Sequence, residues 1–171
     1  MSASWPEPVE RVAAFLRNAG AEARLEEFES GTPTAEDAAR AAGCTPDQIV
    51  KSLVVMCDGR PVLALLPGDR RVDTRKIAAA AGARKARLAD AAEVESATGF
   101  EPGGVAPFPT PRIDQVFVDQ TLLTHDQVWI GAGSPTHIAV LRPAELVRLS
   151  RARPLDAVQE PEYHSLPRGD S

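Results

Sequence analysis

Sulfur is scarce in this chain, and no apolar run is long. The two cysteines, Cys44 and Cys57, stand outside any Cys-x-x-Cys or Cys/His spacing, which excludes a zinc module of that kind and leaves both as small apolar filler. No stretch approaches the roughly 18 apolar residues of a membrane span. Met1 to Pro8 has no basic segment followed by an apolar block, so no signal peptide is read. A soluble, cytoplasmic chain is expected. Histidine is equally sparse: His125, His137 and His164 lie far apart, with no Ser, Cys or acid beside them in a triad-like motif. All three read as surface or packing residues. There is no internal repeat, and no glycine doublet leads into Gly-Lys-Ser/Thr, which excludes a phosphate-cradling P-loop.

What is present fits one compact domain. A chain of 171 residues forms a core that buries roughly 70% of the unfolded surface. Its 43% apolar and 25% charged residues match globular averages, so neither disorder nor a fibrous class is indicated. The net charge of -5 argues against general adhesion to nucleic acid, yet Arg70, Arg71, Arg75, Lys76, Arg84, Lys85 and Arg87 gather against Asp73 alone. One basic face on an acidic protein suits docking of a polyanion at one place. A solvated helix face is the plain alternative.

Periodicity supplies the elements. Val9, Val12, Ala13, Phe15 and Leu16 predict a first helix over about 6–18, and Ala23 to Phe28 a half-exposed strand. Thr34 caps a short helix that ends at Gly43. The apolar run from Ile49 to Cys57 turns at Asp58-Gly59 and returns through Pro61 to Leu66, a hairpin at the sheet centre. Asp73 and Asp90 cap two further helices, ending at Gly82 and Thr98, with a short basic segment from Arg84 to Leu88 between them. Ile113, Val116 and Val118 mark a strand; Val128 to Ile130 and His137 to Leu141 mark two more, joined by the turn Gly131 to Pro135; Pro143 opens a last helix. The reading is a mixed α/β fold: a single domain over 1–150, a mixed, mostly antiparallel sheet with surrounding helices. The tail over 151–171, with charges of both signs and Pro154, Pro161 and Pro167, is expected to be mobile.

Two features invite chemistry. Lys51 interrupts a strand that is otherwise apolar on both faces. Either its stem is buried while its head reaches water, or the head enters a pocket that takes an anion or a polarised carbonyl. The segment Gly99 to Pro111 joins the doublet Gly103-Gly104 to four prolines; it offers close backbone approach in a stiffened loop, or is an ordinary crossover. Glu93 and Glu95 read as helix surface, and Trp129 as core.

Ile49-Val50-Lys51-Ser52-Leu53-Val54, the loop Thr98-Gly99-Phe100-x-x-Gly103-Gly104-Val105-x-Pro107-Phe108 and the turn Gly131-Ala132-Gly133-Ser134 together resemble the YbaK-like aminoacyl-tRNA deacylases, the prolyl-tRNA synthetase associated editing family. The resemblance covers about residues 25 to 150. It implies trans-editing hydrolysis of the ester of a mischarged aminoacyl-tRNA, with no metal or other cofactor. It also implies a pocket in which Lys51, Gly103 and Gly104 are catalytic, often assisted by a group of the substrate itself. Ser52, Phe100, Val105, Ala106, Pro107, Phe108, Gly131, Gly133 and Ser134 would bind substrate, with backbone amides of Gly103 to Ala106 facing the oxyanion. Arg71, Arg75, Lys76, Arg84, Lys85 and Arg87 would hold tRNA. The implied partners are aminoacylated tRNA and an aminoacyl-tRNA synthetase, not DNA and not a membrane. Ser52 stands where the alanine-specific branch has asparagine, and Pro109-Thr110-Pro111 follows Phe108 where many relatives have glycine. A catalytically silent module binding aminoacyl-tRNA or an aminoacyl ligand is the alternative. A serine or cysteine esterase would need Ser52, Ser134 or Cys57 beside His125 or His137.

Overall fold

The computed structural model describes residues 5–29 and 34–160. Among them are five α-helices and eight strands, the strands forming one mixed sheet. Helix α1 (Glu7–Asn18) buries Val9, Val12, Ala13 and Leu16 along one stripe, as its 3.6-residue spacing requires. Strand β1 (Ala23–Glu27) precedes α2 (Ala35–Ala42), whose first turn is closed by Asp37 N–H donating to Thr34 Oγ1 at 3.0 Å. A single 3-10 turn then delivers the chain into β2 (Ile49–Cys57) and β3 (Arg60–Pro67), the predicted central hairpin.

Helices α3 (Thr74–Ala81) and α4 (Ala91–Thr98) begin at Asp73 and Asp90, whose carboxylates accept from amides of the first turn. Between them, β4 (Ala86–Leu88) pairs antiparallel with the end of β2, where alternating cations had suggested only a basic segment. After the glycine-proline loop come β5 (Val116–Asp119), β6 (Val128–Ser134), β7 (His137–Leu141) and α5 (Pro143–Ser150). The expected turn at Gly131 to Pro135 is mostly strand: β6 runs to Ser134 through an irregularity in register between Gly131 and Ser134.

The strand order is β1-β7-β6-β2-β3-β5-β8, with β4 also on β2. One face carries Val50, Val54, Leu63, Leu65, Val118 and Ile130 beneath α1, α4, α5 and the loop. The other carries Val55, Cys57, Ala64, Leu66 and Phe117 beneath Ile77 of α3. Cys57 is buried, as expected of small apolar filler, and Cys44 is half-buried.

The start of the tail corrects the expectation of mobility. Arg153–Leu155 is the edge strand β8, parallel to β5. Beyond it Ala157 and Val158 are buried, and Lys76 Nζ donates to Asp156 at 2.8 Å and to the Val158 carbonyl at 2.7 Å. The prolines and charges conceal Ala157 and Val158, which complete the second core. Residues 161–171, with His164, lie outside the described part. Among the described residues no helix is long and apolar enough to cross a membrane.

Candidate active site

The site is an opening in the sheet. β6 pairs with β2 in parallel through Ile49 and Val50 only, and β4 takes the same side of β2 from Val55 onward. Residues 51–53 therefore present an unpaired edge, and the strands diverge around a cavity of about 240 Å³. Lys51, Ser52 and Leu53 form one wall and Ile130, Gly131 and Ser134 another, with α2 and the loop closing over them. Register and alternation set the two polar residues of β2 on opposite faces: Ser52 shares its face with Val50, Ile130, Ala139 and His137, and Lys51 takes the other.

Lys51 is half-buried and makes no hydrogen bond or ion pair among the described residues. Burial lowers its pKa from the usual 10.5; Asp69 opposes the shift, Arg71 adds to it and Glu36 opposes it. A desolvated ammonium with mixed-sign neighbours attracts an incoming oxyanion or phosphate more strongly than one in water.

The histidine dismissed from sequence is part of this wall. His137 is 3% exposed. Its Nδ1 lies 2.5 Å from Ser134 Oγ and 3.2 Å from Thr136 Oγ1, across the Pro135-Thr136 turn. Its Nε2 is buried without a hydrogen bond; the nearest carboxylate, on Glu27, is 3.8 Å away, which is ion-pair range and not a hydrogen bond. The Ser52 hydroxyl is also buried and unpartnered. Trp129, read as core, lines the cavity as well. The signal for His137 was available as the short Ser-x-x-His spacing over a turn, which brings both side chains to one place. His125, by contrast, lies 3.5 Å from Asp47 and outside the cavity.

The loop divides its residues between two tasks. Gly103, at φ +89°, and Val105 line the cavity, and their amides have no backbone partner among the described residues. The Gly104 amide is already used, donating to the Glu101 carbonyl at 2.9 Å. A Cβ on Gly104 would lie 2.9 Å from Ser134 Cα, and one on Gly131 2.6 Å from the Val105 carbonyl oxygen. These two glycines let the loop and β6 touch backbone to backbone, so Gly104 positions the loop instead of lining the cavity. Gly133 does the same against Pro8 of α1. Phe100, Ala106 and Phe108 belong to the core, where Phe108 stacks on Phe15 at 5.1 Å. Pro107 faces a separate cavity beside α1 and α5.

A second, larger cavity of about 760 Å³ lies between α3, β4 and the Asp58-Gly59 turn, lined by Arg75, Arg84, Lys85 and Arg87. Asp58 holds the Arg84 and Lys85 amides at 3.0 Å each. Arg87 is engaged by Glu93 through two hydrogen bonds, 2.7 and 2.9 Å. Lys76 is engaged by the tail, and Arg71 sits near Lys51 instead. Among the described residues Arg75, Arg84 and Lys85 form no ion pair. No cluster of three or more His, Cys, Asp or Glu side chains is placed among them to hold a metal ion.

Residues 29–149 match the aminoacyl-tRNA editing domain. The chain belongs to that family. An uncharacterised protein, YwhH of Bacillus subtilis, is 34% identical over 125 residues, covering 72% of this chain and 79% of that one. The proline--tRNA ligase of Nitratidesulfovibrio vulgaris is 37% identical over 120 residues, 69% of this chain. This chain spans only 20% of that ligase. A crystal structure of a candidate trans-editing enzyme for prolyl tRNA synthetase superposes with a TM-score of 0.85 at 32% identity, covering 92% of this chain and all of that one. The editing-domain fold and the resemblance drawn from the three motifs are thus borne out.

Proposed function

We propose that this editing domain hydrolyses, in trans, the ester joining a wrong amino acid to the 3′ end of a tRNA. The observation that carries the reading is the unpaired Lys51 ammonium at the opening between β2 and β6, in a chain of this family. Water adds to the acyl carbon, the bond to the ribose oxygen breaks, and that oxygen takes the proton the water gives up. An aminoacyl ester is already activated, so orientation and charge stabilisation suffice without a side-chain nucleophile. The amides of Gly103 and Val105 are the donors available to the developing oxyanion. Lys51 holds the terminal phosphate or polarises the ester carbonyl, and a ribose hydroxyl of the substrate relays the proton. Arg75, Arg84 and Lys85 receive tRNA phosphates, which leaves the synthetase free to act as a separate partner.

The test is a panel of aminoacyl-tRNAs incubated with catalytic amounts of the protein. Release of many amino acids per protein molecule is expected; protection in proportion to the protein added would mark a binding module and contradict the proposal.

A second reading has one observation in its favour. Ser134 Oγ is within hydrogen-bond reach of His137 Nδ1, the geometry a serine esterase requires. Against it, the same oxygen accepts the Thr136 amide at 3.1 Å, as a hydroxyl closing a turn does. Ser134→Ala is therefore expected to retain turnover within about threefold, whereas a nucleophile's removal costs orders of magnitude. An acyl burst lost in that variant would establish the esterase.

A further inference from the structure

Helix α1 lies outside residues 29–149, the part of the chain that matches the editing domain, yet it touches both the loop and the strand that wall the candidate site. Residues 8, 11 and 15 follow the i, i+3, i+7 spacing of one helical stripe. Pro8 meets β6: a Cβ on Gly133, beside the cavity-lining Ser134, would lie 2.7 Å from the Pro8 carbonyl oxygen. Arg11 meets the entry of the loop. Its Nη1 donates to the Gly99 carbonyl at 3.3 Å, and its guanidinium carbon lies 5.0 Å from the centre of the buried Phe100 ring. A Cβ on Gly99 would come within 2.6 Å of the same Nη1. Phe15 meets the exit of the loop, stacked on Phe108. Gly103 and Val105, which line the cavity, stand between these two anchors. Arg11 is itself held, because the Glu7 carboxylate accepts from its Nε at 3.3 Å and from its Nη2 at 2.9 Å. The far end of α1 is fixed by Arg148 of α5, which donates to the Ala19 carbonyl at 3.4 Å.

We propose that Arg11 is a positioning residue of the site, which sets the Gly103 and Val105 amides against the cavity at the place the developing oxyanion occupies, a proposal that rests on the deacylase reading. A planar guanidinium that joins a carboxylate, a carbonyl and an aromatic face fixes a backbone in a way that a plain alkyl stem does not. Arg11 acts through the loop and not on the ester. Donors to an oxyanion stabilise the transition state more than the bound substrate, and a small misplacement forfeits much of that stabilisation. The loss of Arg11 therefore falls on kcat, while KM, set by the cations that receive tRNA, holds.

The experiment compares Arg11→Ala with Arg17→Ala, which removes another arginine of α1 whose side chain bonds Glu10 at 2.6 Å and not the loop. Alanine favours a helix, so both variants are expected to fold, as circular dichroism will check. On an aminoacyl-tRNA that the wild type hydrolyses, Arg11→Ala is expected to lower kcat by about tenfold or more and to leave KM within about threefold. Arg17→Ala is expected to change neither by more than about twofold. In the free protein, hydrogen exchange is followed by NMR at Phe100 and Gly104, whose amides donate to Thr98 Oγ1 and to the Glu101 carbonyl. Exchange is expected to quicken about tenfold in Arg11→Ala alone. An Arg11→Ala kcat equal to that of Arg17→Ala overturns the proposal. So does a rise in KM at constant kcat, which would make Arg11 a tRNA contact. A wild type without turnover on any aminoacyl-tRNA refutes the deacylase reading instead, and the exchange comparison then decides by itself whether Arg11 sets the loop: unchanged exchange refutes it.

Discussion

The two cavities of this domain are built from opposite materials. The smaller, about 240 Å³, lies where the sheet ladder opens, and sets one half-buried cation among largely apolar walls. The larger, about 760 Å³, lies on the far end of β2 and gathers arginine and lysine around a helix and a short strand. Both contain positive charge, but its physical character differs. In the first, desolvation makes a single ammonium strong over a short distance. In the second, several exposed cations act at longer range and are screened by salt. Under the proposed function, bond breaking belongs to the first and tRNA docking to the second.

The largest effect that separates them is expected from charge reversal in the docking cavity. Arg75→Glu, Arg84→Glu and Lys85→Glu together should raise KM by about 100-fold at low salt, leave kcat within about threefold, and flatten the salt dependence of binding by about two to three in slope. Kinetics at several salt concentrations check this. A fall in kcat with an unchanged slope would dissolve the division of labour.

Next in size is the contact that shapes the smaller cavity. Gly131→Ala places a Cβ against the Val105 carbonyl oxygen, an obstacle made of backbone, so the loop must move. A loss of roughly 1–3 kcal/mol in stability is expected, together with reduced turnover, readable by denaturant unfolding and by kcat.

A smaller effect concerns pH. The lowered pKa of Lys51 means that the ammonium is lost earlier than in a free lysine as pH rises. The alkaline fall in kcat/KM should therefore begin below pH 10.5, and a profile level up to an ordinary lysine's range would remove the charge from the rate.

The smallest effect sharpens the docking side. The Arg87 guanidinium, and after it the Asp90 backbone amide, donate to the Glu93 carboxylate and hold its pKa at about 2, below the ordinary 4.5. A depressed carboxylate stabilises the fold above its unfolded pKa, and that contribution is lost as pH falls from about 4.5 towards 2. Glu93→Gln should narrow its gap to the wild type in melting temperature across that window, and free Arg87 for phosphate.

Most of the architecture was legible because its signals are local. The caps Thr34, Asp73 and Asp90, the Asp58-Gly59 hairpin and the buried central strands all follow from neighbouring residues. What escaped depends on distant partners. β4 is too short and too charged to show a period, and the docking of Ala157 and Val158 depends on the core formed by Ile77 and Phe117. In the site, Lys51 was visible as a charge in an apolar strand. For His137 only the Ser-x-x-His spacing was there to read; its burial arises from the fold. The glycine loop was recognised, but its residues serve more in packing than in lining: Gly104 and Gly131 bring two backbones together, and Phe100 and Phe108 fill the core.

The central claim is that Lys51 acts on the ester while the distant cations hold the tRNA. Its most direct test is the single-turnover rate of deacylation by saturating Lys51→Ala protein on an aminoacyl-tRNA that the wild type hydrolyses. The rate is expected to fall by about 100-fold or more, with tRNA affinity and its salt slope unchanged. A Lys51→Ala protein that deacylates as fast as the wild type would contradict the account.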